Sequence, residues 1–215
     1  MQGKQEELLV KVVAEVVKRL QSQGEEPLVP IGISNRHIHL SQRDLDVLFG
    51  EGYQLTKLKD LKQPGQYAAK ETVTIIGPKG SFEGVRILGP VRAETQLEIS
   101  LSDGFKLGIK APVKESGKIE NTPGIKIKGP VGTVEKAQGV IAALRHIHMP
   151  PDFANRFGFK DKDLVKVVVG GERETQFHNV LLRVSESYAL EMHLDTDEAN
   201  ACGVANDDLA RIVKD

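Results

Sequence analysis

The sequence predicts a mainly β fold in which short strands close into barrels, with short helices between them and an amphipathic helix at the N-terminus. Three observations carry this. The chain holds 21 glycines and 10 prolines but only 5% aromatic residues and no tryptophan. Val and Ile recur in short runs, a composition suited to many short strands joined by tight turns. Those runs are punctuated at Gly77-Pro78, Ser102-Asp103-Gly104 and Gly129-Pro130, where turn chemistry ends strands. One stretch near the N-terminus also recurs, in the same order, in the second half.

Taken in order, Leu9, Val13, Val16 and Leu20 recur at helical spacing, opposite Lys11, Glu15, Lys18 and Ser22. The segment Glu6 to Leu20 is therefore expected to be an amphipathic helix. Gln21 to Pro30 is a polar linker broken by Gly and Pro, so the helix is an appendage, packed on its own body or a partner subunit, or serving as a docking tag. Leu28 to Leu40 is extended in character. Ser41 then caps a short helix, with Asp44 placed to reciprocate, and Phe49-Gly50 closes it. Strands are expected at Thr72 to Ile76, Val85 to Leu88, Gln96 to Leu101, Lys106 to Ile109 and Ile125 to Ile127. Further strands are expected at Leu164 to Val169, Val180 to Val184 and Ala189 to His193, with Thr196 to Ala201 helical.

With 215 residues, 40% of them hydrophobic, the chain can bury a core without covalent staples. Its formal charge is -1, from 29 basic and 30 acidic residues, which gives no global attraction to nucleic acid or an anionic membrane. Any anion site must be local. The single cysteine, Cys202, excludes an internal disulfide and a cysteine metal cluster, and no activation motif surrounds it. No apolar run approaches the roughly 20 residues of a membrane span, and no signal peptide opens the chain. A cytoplasmic location is expected.

The internal echo is specific. Arg36-His-Ile-His-Leu40 is followed by Asp44 and Phe49-Gly50, and Arg145-His-Ile-His-Met149 by Asp152 and Phe157-Gly158. Each unit reads as a strand ending in His-x-His and running into a short helix, and duplication predicts a pseudo-two-fold arrangement. On a strand, the two histidines of His-x-His share one face while the isoleucine points into the core. Two imidazoles then converge, which is half of a divalent metal site. His37, His39, His146 and His148 account for four of six histidines. Of the others, His193 lies in the alternating Leu190-Glu-Met-His-Leu194 and can aim inward, whereas His178 sits in a polar stretch and is expected at the surface. A carboxylate ligand is also expected. Glu98 lies opposite the apolar face of Leu97, Ile99 and Leu101, although from the residues alone an ordinary solvent-facing strand glutamate is the better reading. Arg92 follows the Gly89-Pro90 turn, where its guanidinium suits an oxyanion beside a metal site or simply the surface.

Ile33-Ser-Asn-Arg-His-Ile-His-Leu40, Gln63-Pro-Gly-Gln66, Gly89-Pro-Val-Arg-Ala-Glu-Thr-Gln96, Leu144-Arg-His-Ile-His-Met149 and Glu191-Met-His193 together resemble the PduL-type phosphotransacylases, also called phosphate propanoyltransferases. The likeness runs in order from about Pro30 to the C-terminus. It implies two β-barrel domains, one of residues 27–36 plus 144–215 and one of residues 37–143 inserted between, after an appendage of residues 1–26. It also implies a dinuclear zinc site in the cleft. Carried over by matching position, His37, His39 and Glu98 hold one zinc, His146, His148 and His193 the other, and Arg92 engages phosphate. Ser34, Lys59, Arg86 and Asn200 match positions that contact coenzyme A. The implied activity is exchange of CoA and phosphate on a short acyl group, acetyl or propanoyl, in a homo-oligomer such as a dimer. The N-terminal helix resembles the peptides that direct some family members into bacterial microcompartments, including those of propanediol degradation.

On this reading the metals and Arg92 orient phosphate and activate the thioester carbonyl, with no serine or cysteine nucleophile. Three rivals remain: a two-metal hydrolase, a cupin-like binder and a structural zinc clip. Length disfavours the large barrel hydrolases. The cupin lacks its glutamate near either His-x-His, and the clip leaves Arg92 unexplained.

Overall fold

The computed structural model describes Val13 and residues 25–213. Apart from Val13, the helix expected over Glu6 to Leu20 lies outside the described residues. In chain order the strands are β1 (Leu28–Ser34), β2 (His37–His39), β3 (Lys57–Asp60), β4 (Tyr67–Ile76), β5 (Ser81–Gly89), β6 (Gln96–Glu98), β7 (Val113–Lys114) and β8 (Ile125–Lys128). They continue with β9 (Thr133–Lys136), β10 (Val140–Ala143), β11 (His146–Met149), β12 (Leu164–Val169), β13 (Thr175–Val184), β14 (Glu191–Asp195) and β15 (Leu209–Val213). Four short helices join them among the described residues: α1 (Gln42–Phe49), α2 (Leu101–Leu107), α3 (Pro151–Phe157) and α4 (Thr196–Cys202).

The expected mainly β fold is present. Six strands in the order β1-β14-β11-β13-β12-β15 form a closed barrel, sealed where Val29 pairs with Ala210. The other nine form a curled half-barrel sheet, β7-β10-β6-β2-β5-β4-β8-β9, with β3 added on β4. Each sheet encloses its own apolar core. Ile31, Ile147, Met149, Leu182 and Met192 fill the barrel, while Ile38, Leu45, Ile75, Ile87 and Ile127 fill the curl of the second sheet. The isoleucine of each His-x-His is fully buried in one of these cores, which fixes the face on which its two histidines stand.

The repeat extends further than the histidine motifs. β2 lies between β5, parallel, and β6, antiparallel, with His37 opposite Glu98. β11 lies between β13, parallel, and β14, antiparallel, with His146 opposite His193. Behind β6, Ser100 and Asp103 form a capping box that starts α2; behind β14, Asp195 and Glu198 do the same for α4. Both helices end at a left-handed glycine, Gly108 and Gly203. The arginine before each His-x-His grips the third helical residue: Arg36 binds Asp103 through two hydrogen bonds of 2.7 and 3.0 Å, and Arg145 binds Glu198 at 2.8 Å.

Four local expectations are corrected. The strand expected over Gln96 to Leu101 stops at Glu98, and Lys106 to Ile109, expected as a strand, is the end of α2 and its cap. Ser102-Asp103-Gly104 is helical rather than a turn. The capping box satisfies the first backbone donors of α2 and so favours helix over strand. Gly104 is tolerated there because a Cβ would meet the Ile109 carbonyl at 2.6 Å, where the chain folds back to donate Ile109 N–H to Gly104. At α1 the Asp44 backbone N–H does donate to Ser41 Oγ. The Asp44 carboxylate does not reciprocate, however; it accepts from Thr95 Oγ1 and from Lys136 Nζ.

Candidate functional site

The two His-x-His strands open onto one cavity of about 600 Å³ between the barrel and the curled sheet. Its lining includes His37, His39, Glu98, His146, His148 and His193. The donor atoms of His37, His39 and Glu98 lie within 4.8 Å of one another, and so do those of His146, His148 and His193. The expected two groups of three are thus both assembled.

Each group is held by the neighbouring backbone and side chains. His37 Nδ1 lies 2.8 Å from the Asn35 carbonyl and His146 Nδ1 2.8 Å from that of Leu144. Donating there fixes the tautomer and leaves each Nε2 lone pair for the cavity. Glu98, which the residues alone place at the solvent-facing side of its strand, is instead buried. Its Oε1 accepts from Gln96 at 2.6 Å and from Ser116 at 2.8 Å, which turns Oε2 toward His37 Nε2 at 3.6 Å. Burial pushes the Glu98 carboxyl up, but the His37 and His39 charges with the Ser116 hydrogen bond outweigh it and hold it at about 2. Glu98 is therefore an anion at neutral pH.

His39, His146 and His148 are neutral there. Burial, then the neighbouring His37 and Arg92 charges, lowers His39 to about 3. Burial and the adjacent His193 lower His146 to about 4, and burial with His146 lowers His148 to about 2. Neutral imidazole is the form that can ligate a metal. His39 Nδ1, both ring nitrogens of His148 and His193 Nε2 are buried without an aligned hydrogen-bond partner. Such groups are costly unless something outside the chain satisfies them.

Glu191 occupies in β14 the place that Gln96 holds in β6, opposite the second histidine of its motif. Its Oε2 lies 2.9 Å from His193 Nε2, without the alignment of a hydrogen bond, and accepts from Gln63 at 3.0 Å. Gly32 makes room for it, because a Cβ there would stand 2.5 Å from Glu191 Oε1. In the curled sheet the third donor is a carboxylate beside an amide; in the barrel it is an imidazole beside a carboxylate. Each group therefore carries one acidic residue.

Arg92 lines the cavity and donates to Ser116 Oγ at 3.2 Å. Burial, and to a smaller degree Arg183, lowers its guanidinium pKa against the opposing pull of Glu98. Ser34, Lys59 and Arg86 also line the cavity, although Arg86 donates to the carbonyls of Ala69 and Lys70. Asn200 is exposed on α4, outside that lining, and its carbonyl accepts from Arg173. His178 is exposed, as expected. Cys202 is buried, with Sγ bonded to the Glu198 carbonyl at 3.1 Å, as befits a structural thiol. Sequence reasoning gave no role to Glu191, Gln96, Ser116, Arg183 or Tyr188. Extending the echo past the histidines to Gln96-x-Glu98 and Glu191-x-His193 would have found the first two.

Comparison with known proteins agrees with this geometry. Residues 30–205 match the family model for phosphate propanoyltransferase. Among curated relatives, the phosphate propanoyltransferase of Thermotoga maritima is 60% identical over 191 residues, covering 88% of this chain and 91% of that protein. That of Rhodobacter capsulatus is 53% identical, covering 96% of this chain and 97% of the relative. The Clostridioides difficile protein is also 53% identical, covering 97% and 99%. With the match spanning most of the chain and the two histidine groups assembled in one cavity, this chain belongs to the phosphate propanoyltransferase family of acyltransferases.

Proposed function

We propose that this chain exchanges CoA and phosphate on a short acyl group, propanoyl or acetyl, at a pair of divalent-metal sites that hold zinc. The observation that carries the reading is the pair of three-donor groups on one cavity. The donor chemistry fits the metal: buried, neutral imidazoles with unsatisfied nitrogens and a buried carboxylate make a three-ligand site with a position left for substrate. His37, His39 and Glu98 would hold one ion, and His146, His148 and His193 the other. When bound, the metals supply Lewis-acid polarisation of a carbonyl or phosphate oxygen.

The chain's own residues do the rest. Arg92 offers a guanidinium to the phosphate and is itself braced by Ser116. A phosphate oxygen forms the new C–O bond at the thioester carbonyl, the C–S bond breaks, and the CoA thiolate leaves. Phosphate brings its own nucleophile, so no serine or cysteine is required, consistent with buried Cys202. Ser34, Lys59 and Arg86 lie along the cavity wall, suited to the polar and anionic parts of CoA, and Asn200 is assigned to the same ligand at its outer end. Enclosing both reactants between two sheets contributes the proximity effect, of order 7–11 kcal/mol in well-oriented systems. On this reading residues 27–36 with 144–215 form one domain and residues 37–143 the inserted one. The chain works as a homo-oligomer in the cytoplasm or within a microcompartment.

The test supplies propanoyl-CoA and acetyl-CoA with and without phosphate. Phosphate-dependent CoA release with matching acyl phosphate is expected, together with about two divalent metals per chain. CoA release independent of phosphate would identify a hydrolase instead. His37→Ala and His146→Ala should each remove about one metal.

A further inference from the structure

Two arginines reach the same cavity from opposite sheets. Arg92 belongs to the segment after β5, and Arg183 lies on β13, directly across the ladder from His148. Among the described residues, neither guanidinium has a carboxylate within ion-pair distance. The side-chain hydrogen bond that Arg92 donates goes to Ser116; that of Arg183 goes to the Tyr188 hydroxyl at 3.1 Å. Tyr188 is itself fixed, its ring stacked on His148 at 4.1 Å between centroids and 16° between planes. The Arg183 guanidinium also lies 5.5 Å from the centre of that ring. Tyr188 thus ties Arg183 to the three-histidine group as Ser116 ties Arg92 to Glu98.

The two positive charges act on one another as well as on the histidines. Burial depresses Arg92, Glu98 opposes this, and Arg183 depresses it further; the Arg183 charge also reaches His146 and His148. Two unpaired guanidiniums converging on a partly buried cavity repel each other, and a dianion between them relieves the repulsion with paired, charge-assisted hydrogen bonds. From this arrangement we propose that Arg183, held by Tyr188, is a second phosphate-binding residue that closes a two-arginine clamp with Arg92 on the acyl-accepting phosphate. This rests on the reading of Arg92 as a phosphate ligand.

The experiment measures Arg183→Gln, Arg183→Lys and Tyr188→Phe in the metal-loaded full-length chain, after confirming unchanged metal content and unfolding midpoint. Arg183→Gln should raise KM for phosphate roughly 10- to 100-fold, the effect of losing a charge-assisted contact, while KM for acyl-CoA changes less than about twofold. Arg183→Lys should recover part of the loss, and Tyr188→Phe should show a smaller loss of the same kind. Independently of turnover, inorganic phosphate should raise the unfolding midpoint of the parent chain and do so far less in Arg183→Gln. A rise in KM for acyl-CoA with KM for phosphate unchanged would assign Arg183 to CoA and overturn the clamp, as would an Arg183→Gln chain still stabilised normally by phosphate. If the parent chain shows no phosphate-dependent transfer, the proposed function fails, and the midpoint shift still decides the clamp.

Discussion

At the scale of single residues, the site is a balance between burial and neighbouring charge. Burial raises the Glu98 carboxyl, yet His37, His39, Ser116 and Arg92 outweigh it and keep it ionised; burial keeps His39, His146 and His148 neutral. The histidines define a pH dependence with a definite sign. Their folded pKa values lie below the ordinary 6.5, so between that value and about 4 for His146 the unfolded chain binds more protons than the folded one. Stability is therefore complete above about pH 6.5 and falls as the pH drops toward 4, with His39 and His148 still resisting protonation below that. Each such histidine costs about 1.4 kcal/mol per pH unit crossed. The metal-free chain should lose unfolding midpoint steeply between pH 6.5 and 4 by calorimetry, and saturating zinc at pH 7 should raise the midpoint. A midpoint flat across that interval would show that the histidines are hydrated rather than buried.

At the scale of elements, the unit that was duplicated is a paired strand plus a capped helix, larger than a histidine motif. Its helix starts are tied by short chain to the third member of each three-residue group: Ser100 is two residues past Glu98 and Asp195 two past His193. Removing a side-chain cap costs about 1 kcal/mol. Ser100→Ala and Asp195→Ala should each lower stability by about that amount in urea unfolding, and each should weaken metal retention chiefly at its own group in chelator competition. Equal weakening at both groups would mean that the helices act on the cavity as a whole. This duplicated unit was only half legible in the sequence. His-x-His with its following Asp and Phe-Gly stood out because histidines are few and the spacing is short. The second half was hidden because its roles are filled by different residue types: Ser100 for Asp195, Asp103 for Glu198, Glu98 for His193. Lys106 to Ile109 read as a strand because apolar alternation over four residues cannot outweigh a capping box that becomes visible only when Ser100 is known to end a strand. Arg183 carried no local signal, since a strand arginine acquires meaning only from what faces it across the cavity.

At the scale of the whole molecule, the cavity belongs to neither sheet. The curled sheet supplies Arg92, Glu98 and one histidine pair, and the barrel supplies Arg183, His193 and the other. Contacts across the junction fix their relation: the Ser102 backbone N–H donates to Asp197 at 2.8 Å, Gln63 donates to the Ala189 carbonyl and to Glu191, and Lys62 pairs with Asp207. The barrel closes only when β1, from the start of the described body, pairs with both β14 and β15. That pairing begins at Leu28, where the Pro27 carbonyl still accepts from the Ile212 N–H of β15 and the Glu26 carbonyl accepts locally from the Leu28 N–H. Among the described residues the cavity lining begins at Gly32, and every proposed ligand lies beyond Pro30. Deleting residues 1–24 should therefore leave phosphate-dependent turnover within about twofold of the full chain and the unfolding midpoint nearly unchanged. What the deletion should remove is association. An apolar helical stripe of this length is marginal by itself in water and gains its order from a covering surface, which a shell protein or a second subunit can provide. Sedimentation of the two forms, and recruitment of a reporter fused to residues 1–26 into microcompartment shells, separate those partners. Loss of turnover with unchanged assembly would instead place the segment against the catalytic body, where it would have to brace β1 or the cavity rim.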